Sequence, residues 1–254
     1  MELKRIGVFD SGLGGLSVAK HLLRLGYEVL YVGDTARIPY GTKSPEFVRR
    51  CAYELLSFLL ESRVDAVVIA CHTVSTVAGS WLKEVFKIPI YTMVDLVKAA
   101  YSTKNVKKVL VVGTEATVGS GMYEKILRSC GAEEVVSVAT PLFVALAEEG
   151  IKDEILLGRV FKHYFGSLNF KPESVLLGCT HFPMYWRYFE KYFGVEVIDP
   201  AQNFENLGFE RKNGGSISCL FTDSYQGIDE KIGNFLEDTA SLVKEVRFVK
   251  IDIG

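Results

Sequence analysis

No stretch of this 254-residue chain approaches the ~18–20 consecutive apolar residues that span a bilayer. A membrane is therefore not an expected partner. The first residues carry no apolar leader core and no small-residue cleavage site, so a cytoplasmic location is expected. Neither sign of charge dominates, with 29 Lys and Arg against 31 Asp and Glu. A net charge of −2 gives no electrostatic reason to expect nucleic acid as a partner. Cysteine is scarce and odd in number: Cys51, Cys71, Cys130, Cys179 and Cys219. That count argues against a disulfide framework, and the absence of C-x-x-C spacing argues against a structural zinc. The chain also lacks a G-x-x-x-x-G-K-[ST] phosphate loop, and no lysine stands out in a Schiff-base setting. Neither a metal nor a cofactor is indicated.

What is present is an ordinary globular composition, 48% hydrophobic and 24% charged. Short apolar runs at 6–9, 29–32, 66–70, 88–92, 109–112, 135–138, 175–177 and 195–198 are β-branched and barely alternate, as buried parallel strands do. Helix-like segments at 16–25, 45–63, 75–86, 94–102, 121–129, 151–165 and 184–193 lie between them. The alternation predicts an α/β fold with mainly parallel sheets. A glycine-bearing connection follows at 203–218, then a helix-like stretch at 228–243 and a strand-like end at 246–253.

The chain repeats itself. A strand enters a glycine- and hydroxyl-rich turn at 6–15 and again at 109–120. Later in each half a strand ends in cysteine, once as Ala70-Cys71-His72-Thr73 and once as Gly178-Cys179-Thr180-His181. Position 9 to 70 is 61 residues, and position 112 to 178 is 66. Two pseudo-symmetric α/β lobes are expected, with the site in the cleft between them. Residues 1–97 plus 208–254 would form the first lobe and 98–207 the second.

Ligands of open parallel sheets sit outside the carboxyl ends of the strands. If the lobes face one another, both thiols face one cleft. Two acid/base groups on opposite sides suit a reaction that takes a proton from one face of a carbon and returns it to the other. An unperturbed thiol pKa of ~8.5 puts both protonation states within reach. Helix N-termini after Cys71 and Cys179 would favour the thiolate. The residues alone leave other readings open. A strand-terminal cysteine is commonly a buried small hydrophobe, and either thiol beside histidine suits a cysteine hydrolase or transferase.

Five segments carry a resemblance. They are Gly7-Val8-Phe9-Asp10-Ser11-Gly12-Leu13-Gly14-Gly15, Gly33-Asp34-Thr35-Ala36-Arg37-Ile38-Pro39-Tyr40-Gly41, Ala70-Cys71-His72-Thr73, Pro141-Leu142-Phe143-Val144 and Leu177-Gly178-Cys179-Thr180-His181-Phe182-Pro183. In this order they resemble the glutamate racemase family of the aspartate/glutamate racemase superfamily. The resemblance implies an isomerase that interconverts L- and D-glutamate without a cofactor and supplies peptidoglycan synthesis, as a homodimer. Cys71 and Cys179 would be its two acid/base groups, assisted by Asp10 and His181. Ser11, Tyr40, Gly41, Thr73 and Thr180 would hold substrate together with Asp10 and His181. Glu148 resembles a glutamate near the family's site, though Glu149 is its twin.

One position departs from the pattern. The family reads asparagine where this chain has His72, which would be a substrate-binding residue of different geometry that can also become cationic. His72 motivates two alternatives: a racemase of aspartate or another small acid, and a catalytically impaired ligand-binding relative. Cys51, Cys130, Cys219, His21 and His163 read as structural. The aromatic-rich stretch at 185–193 reads as core packing with an oligomer face.

Overall fold

The computed structural model describes residues 3–224 and 226–251. Strands without polar alternation need cover on both faces, which parallel sheets between helix layers provide. The first half supplies β1 (Arg5–Asp10), β2 (Glu28–Gly33), β3 (Ala66–Ile69) and β4 (Ile90–Thr92). The second supplies β5 (Lys108–Gly113), β6 (Glu134–Ala139), β7 (Ser174–Gly178) and β8 (Glu196–Ile198). The tail adds β9 (Ser216–Phe221) and β10 (Val243–Phe248). One sheet runs β10-β9-β2-β1-β3-β4 and the other β6-β5-β7-β8, with parallel pairing throughout the described residues. The sub-orders β4-β3-β1-β2 and β8-β7-β5-β6 match, so the two lobes are pseudo-symmetric.

The helices are α1 (Leu16–Arg24), α2 (Pro45–Glu61), α3 (His72–Val77), α4 (Gly79–Val85), α5 (Met93–Tyr101), α6 (Glu115–Gly119), α7 (Met122–Ser129), α8 (Pro141–Glu148), α9 (Glu154–Phe165), α10 (Trp186–Phe193) and α11 (Ile228–Leu236). Alternate side chains of a strand point to opposite faces. Ile6 and Val8 of β1 therefore enter the core shared with α1 and α11, while Phe9 enters the core shared with α2. Helix α2 begins where the Phe47 N–H donates to Ser44 Oγ at 3.3 Å and Pro45 presets the first turn. Its Leu55, Leu56 and Leu59 are buried against the sheet, each worth roughly 1.5–3 kcal/mol. In the second lobe, Leu110 and Val112 of β5 face one core and Val109 and Val111 the other.

Helix α5 joins the lobes. Met93 and Leu96 pack into the first lobe, and Val97, Ala100 and Tyr101 into the second. Two polar contacts pin the same junction: Ser17 Oγ donates to the Thr180 carbonyl at 2.7 Å, and His21 Nε2 lies 3.6 Å from Asp199.

The expected single helix at 75–86 is two, and it starts earlier, at His72. Hydroxyls explain the break. Thr76 Oγ1 donates back to the His72 and Thr73 carbonyls, and Ser75 Oγ donates to the Ile69 carbonyl. Helix α8 was not legible as a separate helix, and the connection expected at 203–218 contains the start of β9. The helix expected at 228–243 stops at Leu236, where Glu237 takes φ 52, and a 3-10 turn follows. The strand expected at 246–253 lies at Val243–Phe248 instead; positions 252 and 253 fall outside the described residues.

Candidate active site

Strands β2 and β3 lie on opposite sides of β1, as β6 and β7 do around β5. Chain crossovers diverge at such points, and a crevice opens at the carboxyl ends. Asp10 closes β1, Cys71 stands two residues beyond β3, and Cys179 directly follows β7. Both cysteines line one cavity of about 250 Å³ between the lobes. That is below the ~300–1,000 Å³ of sites for drug-sized ligands, and suits a small metabolite. Ser11, Tyr40, Gly41, His72, Thr73, Glu148, Thr180 and His181 also line it. Asp10 does not; it is fully buried behind the wall. Glu149 faces a different hollow, with Lys152.

The Cys71 side is a buried thiol among oxygen groups. Its Sγ lies 3.7 Å from Ser11 Oγ. Burial pushes this thiol up to about 12, and the nearby Asp10 charge pushes the same way. The Val74 N–H and the Ser11 hydroxyl pull it down but do not prevail. The helix N-terminus that follows Cys71 thus pulls toward the thiolate as expected, but burial and the Asp10 charge outweigh it. Burial also raises the Asp10 carboxyl, against the pull of His181 and the Gly12 N–H. That N–H donates to Asp10 Oδ2 at 3.0 Å, and the Gly15 N–H adds a weaker pull in the same direction.

The Cys179 side is a relay. Cys179 Sγ lies 3.6 Å from His181 Nδ1, and His181 Nε2 lies 2.5 Å from Glu148 Oε1. Burial opposes charging His181, but the bonds to Cys179 and Glu148 outweigh it and hold its pKa well above the ordinary value. No helix starts directly after Cys179, contrary to the expectation; a 3-10 turn at Phe182–Tyr185 precedes α10. The neighbour of this thiol is the His181 imidazole instead.

Gly14 explains how the lobes come so close. A Cβ there would lie 2.4 Å from Thr180 Oγ1 and 2.6 Å from His181 Cε1. Gly41 is pressed likewise against Thr114, at 2.7 Å. Tyr40 lines the cavity and donates its phenol hydrogen to Asp34. Asp34 is held in turn by Arg37 at 2.6 Å and Thr222 at 2.8 Å. Thr73 Oγ1 contacts Thr114 at 3.0 Å and Thr117 at 3.3 Å. Thr114 was not singled out from the sequence. Its signal was the repeat, since it follows β5 as Ser11 follows β1.

His72 is 3% exposed, and its Nδ1 lies 2.6 Å from the Tyr123 hydroxyl. Burial lowers its pKa to about 3, with only a small opposing pull from Asp199. The imidazole is therefore neutral, not cationic. This predicts acid sensitivity. Below the unfolded value of ~6.5, unfolded chains bind a proton that the folded protein refuses, so stability falls by about 1.4 kcal/mol per pH unit until about pH 3. Melting temperatures from pH 7 to 4 should fall more steeply for the wild type than for His72→Asn. Parallel curves would refute it.

The sequence pattern of the Asp/Glu/hydantoin racemase family matches residues 17–203. The glutamate racemase of Aquifex aeolicus (strain VF5) is 38% identical over 237 residues, covering 90% of this chain and 92% of that protein. The crystal structure of glutamate racemase from Campylobacter jejuni subsp. jejuni superposes with a TM-score of 0.84 at 34% identity, covering 91% of this chain and 98% of that one. Glutamate racemase from Francisella tularensis subsp. tularensis SCHU S4, in complex with D-glutamate, gives 0.87 at 30% identity, covering 99% of both. With paired cysteines at matched strand ends of two pseudo-symmetric lobes, this chain belongs to the glutamate racemase family within the Asp/Glu/hydantoin racemases.

Proposed function

We propose that this protein interconverts L- and D-glutamate by proton transfer between Cys71 and Cys179 and the substrate Cα. The observation that carries the reading is two thiols on one small cavity, each with its own acid/base neighbour. Cys71 enters as the thiol. Cys179 gives its proton to His181, whose imidazolium is supported by Glu148, and the Cys179 thiolate removes the Cα proton from its side. The electron pair left on Cα delocalises into the substrate carboxylate. Cys71 then delivers its proton to the opposite face. The reverse direction starts from the Cys71 thiolate, with the Asp10 carboxyl as its neighbouring base. A substrate ammonium ion in the cavity offsets the burial and the Asp10 charge that hold Cys71 protonated.

No Lys or Arg is among the described residues lining the cavity. The substrate carboxylates are therefore held by hydroxyls of Ser11, Thr73 and Thr180 and by backbone N–H groups, Gly41's among them. Neutral donors stabilise developing charge without trapping it. The reading includes peptidoglycan supply, a cytoplasmic location and a homodimer; sedimentation of the purified chain at one or two protomer masses decides the last. No helix among the described residues is long and apolar enough to cross a membrane.

The test is proton NMR of the purified, reduced protein with D-glutamate in deuterated water, without added cofactor. The Cα–H signal should disappear while L-glutamate accumulates by chiral analysis. No exchange from either enantiomer, in folded protein, would reject glutamate; turnover of L-aspartate in its place would establish the second substrate, for which His72 is the motive.

A further inference from the structure

Tyr123 lies in the first turn of α7, 2% exposed, outside the wall of the cavity. Its ring packs beside Gly178, where a Cβ would lie 3.5 Å from Tyr123 Cε2. It thus stands behind both cysteine loops, touching the residue after Cys71 and packing by the residue before Cys179. Its hydroxyl contacts His72 Nδ1 at 2.6 Å, with the rings edge-on at 78°.

A buried phenol hydrogen requires an acceptor. His72 Nδ1 is the only hydrogen-bond partner of the Tyr123 hydroxyl among the described residues. If Nδ1 carried the proton, the phenol hydrogen would be buried with nothing to receive it. The phenol therefore donates and Nδ1 accepts. A neutral imidazole whose Nδ1 accepts must carry its hydrogen on Nε2. Nε2 has no protein partner among the described residues, and His72 lines the cavity.

We propose that Tyr123 is a positioning residue that locks His72 as the Nε2–H tautomer, so that His72 offers the cavity a donor-only face for a substrate carboxylate. A carboxylate oxygen accepts from it, whereas an ammonium ion, itself a donor, does not. Burial keeps both rings in this state, since the His72 pKa is lowered to about 3 and the Tyr123 phenol is raised well above its ordinary range. A side-chain amide offers a donor and an acceptor together; the tyrosine removes that ambiguity from the imidazole. The part of the proposal that concerns substrate rests on the racemase reading, and the tautomer does not.

The tautomer is read by nitrogen NMR on protein labelled with ¹⁵N-histidine. The His72 signals are assigned by their loss in His72→Asn. The expected result is a bare Nδ1 and a protonated Nε2, unchanged from pH 5 to 9. A protonated Nδ1, or an imidazolium at pH 6, overturns the proposal whether or not the protein turns over glutamate. In Tyr123→Phe the lock is gone, and the His72 signals should show mixed tautomers. The KM for glutamate should then rise about 10-fold, the loss expected for one oriented hydrogen bond to a charged group, while kcat changes by less than about 3-fold. An unchanged KM, or a loss confined to kcat, rejects the link to substrate. If the tautomer is as stated but no variant racemises glutamate, the substrate assignment fails and the lock stands.

Discussion

Cys71→Ala and Cys179→Ala are each expected to lower racemisation in both directions by on the order of 10³-fold or more, within the upper range of a lost acid/base group. The size follows from the geometry. Every turnover takes a proton from one face of Cα and returns one to the other, so neither thiol replaces its partner. Losses from the two variants should not add, because removing either breaks the same cycle. Both sulfurs line the cavity, and removing one deletes a single small group, so the fold should lose only ~1 kcal/mol. Chiral analysis of product checks the rate, and a thermal melt checks the fold. Near-wild-type turnover in either variant would remove the two-thiol assignment.

A loss of about 10²-fold in kcat is expected of His181→Asn, and a smaller one, about 10-fold, of Glu148→Gln. His181 lies 3.6 Å from the Cys179 sulfur and 2.5 Å from Glu148, and these two bonds raise its pKa, which makes the neutral imidazole a ready acceptor of the thiol proton. Asparagine has no site to receive the thiol proton, whereas Glu148→Gln leaves an imidazole that still can. The same pair leaves a mark on stability. The folded protein raises the His181 pKa, so its contribution is complete below the unfolded value of ~6.5 and is lost as pH rises through the raised value. The wild type should therefore lose more stability from pH 6.5 to 9 than His181→Asn. An unaltered kcat in His181→Asn, or identical pH dependence of the two melts, would show that the imidazole does not serve Cys179.

Much of this site was legible because strand ends announce themselves. The run Ala66–Ile69 has no polar residue, so it must be buried on both faces, and Cys71 then falls at the carboxyl end where ligands bind. The same reasoning placed Cys179 after β7. The repeat spacing gave the pairing of the two motifs, and matched sheet orders follow from it. Helix α8 and strand β9 escaped because local pattern underdetermines them. Pro141–Glu148 is apolar over most of its turn, and Ser216–Phe221 sits beyond a stretch of glycine and charge that reads as connection.

The sequence by itself determined residue types, their order and the periodicity that sorts them into strands and helices. These establish two similar α/β halves with a cysteine at the same place in each, and they carry the family. Only the tertiary structure decided the state of each group. Cys71 and Cys179 are the same residue in similar motifs, yet one is pressed toward the thiol by burial beside Asp10 and the other has an imidazole as neighbour. Glu148 and Glu149 are adjacent, yet one meets His181 and the other a different hollow. His72 is neutral because burial excludes water from it and Tyr123, 51 positions away, meets its Nδ1. Protonation and hydrogen-bond direction depend on local dielectric and on partners remote in sequence, and those are fixed only when the lobes close on one another.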